Sequence, residues 1–176
     1  MNGNRQTGHD VFETALGWIA IVGSDSGVRR MSLPEPTPDA AIDYIRRDME
    51  GMEPAPELFA VMRSTIQRYC AGEPVDLSSI PINVTGRSPF FVRAWEACRS
   101  IPAGETRTYK WLAKMAGSPG AARGAGQAMA RNPFPLIVPC HRVVGTDGSL
   151  HGFGGGVGLP MKSRLLQMEG ALAHLA

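Results

Sequence analysis

The chain has 176 residues, 43% of them hydrophobic, so it can form one domain or two small domains with a core, which excludes a disordered tail. Its longest uninterrupted hydrophobic runs span five residues, whereas a helix needs roughly 18 to 20 to cross a bilayer, and its polar first dozen residues do not resemble a secretion signal. With a formal net charge of only +2, we expect a cytoplasmic protein without a membrane span.

The charges are distributed unevenly along the chain. Residues 1–85 contain 7 basic and 12 acidic side chains, whereas residues 86–176 contain 11 basic and 4 acidic ones. An excess of Arg and Lys raises the affinity for phosphates by releasing counterions, so the second half is a candidate polyanion-binding region. On charge alone, an ordinary solvated surface explains the excess equally well.

The first half of the chain predicts a small unit of strands followed by helices. Hydrophobic residues 16–22, a turn cluster at 24–27 and residues 28–33 are typical of a β-hairpin. Two strands are not stable alone, so the hairpin needs the helices that follow it.

Two helices are predicted after this hairpin. Thr37 and Pro38 provide an N-cap and a proline at the first helical position, and hydrophobic residues then recur at helical spacing. A second helix is predicted over residues 57–70. Prolines and serines in residues 74–86 indicate the connection between the two halves.

The second half predicts three short helices with clear boundaries. They begin at Ser88, Thr108 and Ser118, and the third extends to about Arg131. The last two helices, joined by the glycine-containing residues 117–120, form a helix-turn-helix candidate.

The third of these helices consists mainly of Ala and Gly around one long cation, Arg123. A surface with such small side chains can approach another backbone closely. Tight packing inside the protein is the alternative, which explains the small residues but not the arginine.

Three cysteines, Cys70, Cys98 and Cys140, form an odd set without a Cys-x-x-Cys pair, which argues against a disulfide framework and a thiolate zinc site.

Cys140 is followed directly by His141, in a segment with a proline-rich entry and a predicted short buried strand. An ordinary thiol has a pKa of about 8.5, so a reactive Cys140 needs a lowered pKa. Successive strand side chains point to opposite faces, so His141 needs a turn or a bridging water to reach the thiol. A buried small hydrophobe and a core histidine are the alternatives.

These residues belong to a specific pattern. Residues 139–143 read Pro-Cys-His-Arg-Val, which resembles the signature of the O6-alkylguanine-DNA alkyltransferase family. Further motifs of that family follow its order: Gly-Glu-Thr-Arg-Thr-Tyr at 104–109, Ala-Ala-Arg at 121–123, Gln-Ala-Met-Ala-Arg-Asn-Pro at 127–133 and Glu-Gly at 169–170. The resemblance covers residues 88–170, whereas residues 1–85 share only the generic order of strands and helices.

With the predicted elements, this resemblance implies an α+β fold of two domains. Residues 1–85 form a small N-terminal α/β domain with a β-hairpin sheet and the linker. Residues 86–176 form a helical, winged-helix-like C-terminal domain that contains the helix-turn-helix and carries DNA binding and alkyl transfer. Some relatives hold a structural zinc in the N-terminal domain, but this chain lacks the ligands, so no metal is expected.

The resemblance also implies a reaction. Cys140 takes the alkyl group from guanine O6 and keeps it as a thioether, so each molecule acts once and needs no cofactor. His141 acts as a water-mediated base toward the thiol, and Glu169 holds the imidazole in its useful tautomer. Tyr109 donates a hydrogen bond to a ring nitrogen of the leaving base, and Asn132 supports the cysteine and its loop. Tyr109 as half-buried packing and Asn132 as a turn residue are the alternatives from the residues alone.

The implied partner is double-stranded DNA contacted in its minor groove, from which the target nucleotide leaves the base stack. Arg123 corresponds to the finger residue that enters the stack in its place. Further contacts to DNA are expected from Tyr109, Lys110, Ser118 and Thr146. We expect a monomer, and cooperative assembly on DNA is left open.

The glycine-rich segment 151–158 is expected to form one wall of the base pocket. The pocket residues implied are Val143, Phe153, Gly154 and Gly155. A glycine run can also bind phosphate, but this one lacks the lysine of a nucleotide-binding loop.

Two other functions compete with alkyl transfer. Alkyltransferase-like proteins recognise alkylguanine and recruit other repair factors, but they usually replace the reactive cysteine, and Cys140 is present here. A cysteine hydrolase normally has its nucleophile and base far apart in sequence, and neither His9, His151 nor His174 lies in a recognisable partner motif.

Overall fold

A computed structural model describes residues 6–151 and 157–174 of the chain. Contacts within the chain divide it into two units, Met1–Val84 and Thr85–Ala176. Both contain helices and a small sheet, so the chain has the α+β fold that the sequence predicts. Within the described ranges, every helix is too short or too polar to cross a membrane.

The first unit is built on a three-stranded antiparallel sheet. Its strands, in spatial as well as chain order, are β1 (Thr7–Thr14), β2 (Gly17–Ser24) and β3 (Gly27–Met31). Strands β2 and β3 confirm the predicted hairpin. Residues 19–22 of the central strand are fully buried, which means that both faces of β2 are covered. This explains why its sequence is continuously hydrophobic instead of alternating.

Two helices follow the sheet, as predicted. They are α1 (Pro38–Ile45) and α2 (Ala60–Cys70), the second preceded by a 3-10 turn at Pro56–Phe59. Thr37 caps α1, since its side chain accepts a hydrogen bond of 3.2 Å from the backbone N–H of Ala40. Helix α1 and β2 share one part of the core, formed by Ala20, Val22, Ala41 and Ile45.

Strand β1 is absent from the sequence-based expectation. Its buried positions are Gly8, Asp10 and Phe12, so only one hydrophobic side chain marks the alternation on that face. Asp10 is only 8% exposed, and its carboxylate accepts from Val11 N–H at 2.9 Å and forms an ion pair with Arg63 of α2. A charge pair, together with strand pairing to β2, therefore ties this polar strand to the unit.

The second unit surrounds the Cys140 segment with short helices. Its described elements are α3 (Pro89–Arg99), β4 (Arg107–Thr108), α4 (Tyr109–Met115), α5 (Ala122–Ala130), a 3-10 turn at Cys140–Arg142, β5 (Val143–Val144), α6 (Gly158–Met168) and a 3-10 turn at Ala171–His174. Strands β4 and β5 pair in parallel, with Arg107 opposite Val143 and Thr108 opposite Val144. This pairing brings the start of α4 beside the residues that follow Cys140.

Helices α3 and α4 begin where the sequence predicts, with Ser88 and Thr108 as N-caps, but the N-cap of α5 is Ala121, three residues after the expected Ser118. The backbone N–H of Ala121 donates to the carbonyl of Ser118 at 2.9 Å, so residues 118–121 form a turn before the helix. Gly120 within this turn lowers the helix propensity of the segment.

Trp95 of α3 connects two parts of the second unit. Its indole N–H donates to the carbonyl of Ala128, near the end of α5, at 2.9 Å. Its ring meets Phe134 edge-on, with 5.5 Å between ring centroids. Both aromatic residues are almost fully buried, so they form part of the core of this unit.

The short buried strand predicted in residues 132–143 is wrong, because the segment before Cys140 is a bend. The side chain of Asn132 accepts from Phe134 N–H at 2.9 Å and donates to the carbonyl of Val138, also at 2.9 Å. One amide thus fastens both ends of residues 132–138, and Leu136 adopts a left-handed φ of 70°. Only Val143 and Val144, after the cysteine, are extended as a strand.

We expect Arg63→Met to lower the free energy of unfolding by about 2 kcal/mol, because it leaves the Asp10 carboxylate buried without its cation. Urea unfolding followed by far-ultraviolet circular dichroism measures the change. Arg68→Met is the matched control: Arg68, also in α2, pairs with Glu73 at 2.7 Å, but both are about half exposed, so a change within about 0.5 kcal/mol is expected. Equal losses in the two variants would contradict the role of the buried pair.

Candidate active site

Cys140 opens the 3-10 turn that follows the bend. Its side chain is 8% exposed, whereas His141 is fully buried. The backbone N–H of Cys140 donates to the carbonyl of Val138 at 2.7 Å, which fixes the turn to the end of the bend. Because these residues turn rather than extend, the structure supplies the turn that a cysteine and an adjacent histidine need to share one site.

Glu169 is the central partner of this turn. Its side chain is 3% exposed, and its Oε1 lies 3.0 Å from Nε2 of His141 and 2.7 Å from Nη2 of Arg142. Its Oε2 accepts from Nε of Arg142 at 3.0 Å, so the guanidinium binds the carboxylate through two nitrogens. Glu169 caps the C-terminal end of α6, where a negative charge is unfavourable without such partners.

These contacts fix the charge states of the pair. Burial alone raises the pKa of Glu169, but the hydrogen bonds and positive charge of its partners outweigh burial and hold that pKa well below its usual range. Burial lowers the pKa of His141, and the opposing effect of Glu169 does not reverse the shift. A neutral imidazole beside an ionised carboxylate carries its proton on Nε2, which places the ring's basic lone pair on Nδ1.

The thiol of Cys140 does not have the lowered pKa that reactivity led us to expect. Burial raises the pKa of Cys140, whereas a hydrogen bond from Asn132, the charge of Lys162 and backbone hydrogen bonds lower it incompletely. Desolvation wins because a thiolate loses more from burial than a thiol does. The uncharged thiol therefore predominates at neutral pH, and reaction requires a base.

The other two cysteines have the properties of core residues. Burial raises the pKa of Cys70 to about 11 and raises that of the fully buried Cys98 well above its ordinary value. Cys140 differs from both in lying next to a neutral imidazole that a carboxylate orients. Of the three thiols, Cys140 is thus the one placed for nucleophilic chemistry.

Tyr109 lies at the start of α4, next to the β4–β5 pairing. Its hydroxyl donates to the carbonyl of His151 at 3.2 Å. Burial raises the pKa of Tyr109 to about 12, with smaller contributions from Cys140 and Cys98. The hydroxyl therefore keeps its proton and remains a hydrogen-bond donor.

The structure brings four of the predicted site residues together: Cys140, His141, Glu169 and Asn132. Tyr109 is hydrogen-bonded to His151, the last described residue before the glycine-rich stretch. Apart from Tyr109, the predicted DNA-binding residues lie elsewhere on the second unit: Arg123 and Lys110 are exposed on α5 and α4, Ser118 lies in the turn between these helices, and Thr146 is exposed after β5. Of the predicted pocket residues, Val143 is fully buried, and Phe153, Gly154 and Gly155 lie outside the described residues.

Some of the small residues of α5 pack inside the second unit, in addition to leaving the helix surface with short side chains. Ala125 and Ala128 are fully buried, and a Cβ at Gly124 would lie 3.2 Å from the ring of Phe90. Packing thus explains much of this composition, but not the exposed Arg123.

The sequence assigns no role to two residues that the structure places at the site. Arg142 binds Glu169 and also donates to the carbonyl of Ile101 at 2.6 Å. Lys162 of α6 is fully buried, and its Nζ donates to the carbonyls of Val143 and His151. Arg142 belongs to the signature Pro-Cys-His-Arg-Val, but the pattern does not indicate its partners. Lys162 lies in a helix between hydrophobic and polar residues, and the sequence of that helix does not distinguish a buried lysine from an exposed one.

Comparisons with known proteins define the class of protein. Residues 89–171 match the family model described as "6-O-methylguanine DNA methyltransferase, DNA binding domain". The chain is 44% identical over 158 residues to the methylated-DNA–protein-cysteine methyltransferase of Mycobacterium leprae, covering 90% of this chain and 89% of the relative. A methyltransferase of the same name from Methanosarcina acetivorans is 34% identical over 167 residues, covering 92% and 97%.

Solved structures agree with the sequence relatives. The crystal structure of Mycobacterium tuberculosis O6-methylguanine methyltransferase superposes with a TM-score of 0.78 at 32% identity, covering 94% of this chain and 93% of that one. The structure of Mycobacterium tuberculosis OGT in complex with DNA gives 0.75 at 32% identity, covering 93% and 92%. This chain belongs to the methylated-DNA–protein-cysteine methyltransferase family.

We expect Glu169→Gln to destabilise the protein at neutral pH by about 2 kcal/mol, because the buried ion pair with Arg142 is broken. Since the folded-state pKa of Glu169 is depressed, its stabilisation is complete above the unfolded carboxyl pKa of about 4.3 and is lost as the pH falls further, through the folded-state value. The difference between wild type and variant should therefore shrink below about pH 4.3. Urea unfolding at a series of pH values measures it.

Glu105→Gln is the control for this comparison. Glu105 also pairs with an arginine, Arg107, at 2.6 Å, but both side chains are substantially exposed. Its removal should change stability by no more than about 0.5 kcal/mol at any pH. A Glu169→Gln deficit that stays constant into acid would refute the assigned charge state.

Proposed function

We propose that this chain repairs DNA directly, by moving the alkyl group of an O6-alkylguanine onto the sulfur of its own Cys140. The observation that carries this proposal is the position of Cys140 in a turn beside a neutral His141 that Glu169 orients at 3.0 Å. This arrangement lies within the residues that match the DNA-binding domain of the family. The relatives' names give methylated DNA and a protein cysteine as the reacting partners.

The transfer is a displacement at carbon. The thiol proton of Cys140 passes through a bridging water to Nδ1 of His141, and the thiolate attacks the alkyl carbon. The new S–C bond forms as the C–O6 bond breaks, and the electron pair of the broken bond stays with the guanine. The guanine then takes up one proton, and the His141 imidazolium releases the one it received, so both end neutral. A thiolate is too poor a leaving group for water to displace it from the product thioether, so each molecule acts once, and no cofactor takes part.

Two polar side chains assist this displacement. Tyr109 donates a hydrogen bond to a ring nitrogen of the departing guanine, which stabilises the charge that develops on the base. Its high pKa supports this role, because the hydroxyl is protonated throughout the neutral range. Asn132 holds the bend before Cys140 and donates a hydrogen bond that favours the thiolate.

The substrate must leave the base stack before the sulfur can reach it, at a cost of a few kcal/mol. We infer that α4, the turn after it and α5 act as a helix-turn-helix on the minor groove. The exposed Arg123 then fills the space of the extruded nucleotide. Lys110, Ser118 and Thr146 supply contacts to phosphate or sugar, and Val143, Phe153, Gly154 and Gly155 supply the base pocket.

The two units divide the work. Residues 86–176 carry DNA binding and transfer, which their excess of basic side chains supports. Residues 1–85, which are acidic overall, support that domain without contacting DNA. We place the protein in the cytoplasm as a monomer that acts on double-stranded DNA.

Incubation with duplex DNA containing one O6-methylguanine should add a single methyl group to the peptide that contains Cys140. Mass spectrometry of the digested protein measures the addition. Cys70→Ser should react like wild type because Cys70 is a buried core thiol, whereas Cys140→Ser should take no methyl group and still bind the DNA. Unmodified wild-type protein that binds tightly would instead favour a recognition protein that recruits other factors.

We expect Arg123→Ala to slow methyl transfer from duplex DNA about tenfold or more, while transfer from the free base O6-methylguanine stays within about twofold, because the free base needs no extrusion. Single-turnover rates on both substrates measure the ratio. Arg164→Ala, which removes an exposed arginine of α6, should leave that ratio unchanged. Equal losses on duplex and free base would remove the role assigned to Arg123.

A further inference from the structure

Lys162 occupies an unusual position for a lysine. Its side chain is fully buried in α6, and its Nζ donates to the carbonyl of Val143 at 2.7 Å and to that of His151 at 2.9 Å. Removing an ammonium group from water is costly even when hydrogen bonds replace part of its hydration. A methionine would fill similar space without that cost, so packing alone does not account for the residue.

The two carbonyls that Lys162 binds belong to different parts of the site. Val143 directly follows the turn that carries Cys140 and His141. His151 directly precedes the glycine-rich residues assigned above to the pocket wall. Lys162 therefore fastens the start of that segment to the strand next to the nucleophile.

The carbonyl of His151 has a second donor. The hydroxyl of Tyr109 lies 3.2 Å from the same oxygen, and Nζ of Lys162 lies 6.0 Å from the centre of the Tyr109 ring. To donate to a guanine nitrogen, the Tyr109 hydroxyl has to leave this oxygen, because it has only one proton. The structure thus contains a hydrogen bond that substrate binding has to exchange.

We propose that Lys162 is a positioning residue for the transfer: it holds the His151 carbonyl in place beside Val143 while Tyr109 turns its proton to the leaving base. This inference rests on the proposed function. A carbonyl left without a donor is penalised, and its segment tends to shift toward a new partner. With Lys162 still donating, the exchange by Tyr109 leaves the oxygen bonded. Burial lowers the pKa of Lys162 to about 8, so the side chain remains mainly an ammonium group at neutral pH.

The proposal is tested by comparing two electrophiles at Cys140. Transfer from free O6-methylguanine needs a hydrogen bond to the leaving base, whereas iodoacetamide releases iodide with its electron pair and needs none. The charge of Lys162 favours the Cys140 thiolate in both reactions, so its effect cancels from the ratio of the two rates. We expect Lys162→Met to lower the transfer rate about tenfold or more relative to the iodoacetamide rate, each read from the mass of the Cys140 peptide.

A double-mutant cycle with Tyr109→Phe identifies the pathway. Tyr109→Phe should produce the same selective loss of transfer, and Lys162→Met should add less than twofold to it, because both act through one hydrogen bond. Lys162→Arg, which keeps charge and donors, should recover most of the ratio. Lys162→Gln, measured in the same way, replaces Lys162→Met if circular dichroism shows that the methionine variant does not fold.

Equal losses with both electrophiles, an unchanged ratio or full additivity with Tyr109→Phe would overturn the proposal, because a purely structural role predicts them. A wild-type protein that reacts with iodoacetamide but takes no methyl group from the free base or from DNA would instead overturn the proposed function. The two failures are therefore distinguishable.

Discussion

The second unit depends on one buried carboxylate, that of Glu169, which binds both an imidazole and a guanidinium group. Glu169 ends α6, and its oxygens bind His141 and Arg142 of the turn that begins at Cys140. Arg142 in turn donates to Ile101, just beyond the end of α3. The same contacts therefore hold α6, the turn and the end of α3 together, and they also select the tautomer of the imidazole. Stability and chemistry share this group, so neither can change without the other.

Burial sets the reactivity of the site more than charge does. It raises the pKa of Cys140, lowers that of His141 and keeps the Tyr109 hydroxyl protonated. All three groups are consequently neutral at physiological pH. In such a site the thiolate forms only when its proton can reach the histidine, which limits side reactions of a nucleophile that acts once.

The sequence was most informative where hydrophobic spacing and caps coincide. The β2–β3 hairpin, α1, α3 and α4 follow from such signals. The resemblance to the family's motifs identified the residues that lie around Cys140. Strand β1 was missed because an aspartate with a distant arginine partner occupies an inward position. The bend before Cys140 was mistaken for a strand because its residues are hydrophobic, whereas the Asn132 side chain bonds to the backbone two and six residues further on and holds the segment bent. The roles of Arg142 and Lys162 depend on burial, which becomes visible only once the helices are packed.

Trp95 gives the second unit one more property. Its indole binds a carbonyl in the last turn of α5, one of those that a helix leaves without an internal partner, and its ring contacts Phe134 within the bend fastened by Asn132. The helix that bears Arg123 and the loop that bears the nucleophile are thereby joined through a single aromatic residue. Because one buried side chain makes both contacts, we infer that α5 and the bend before Cys140 move together rather than independently.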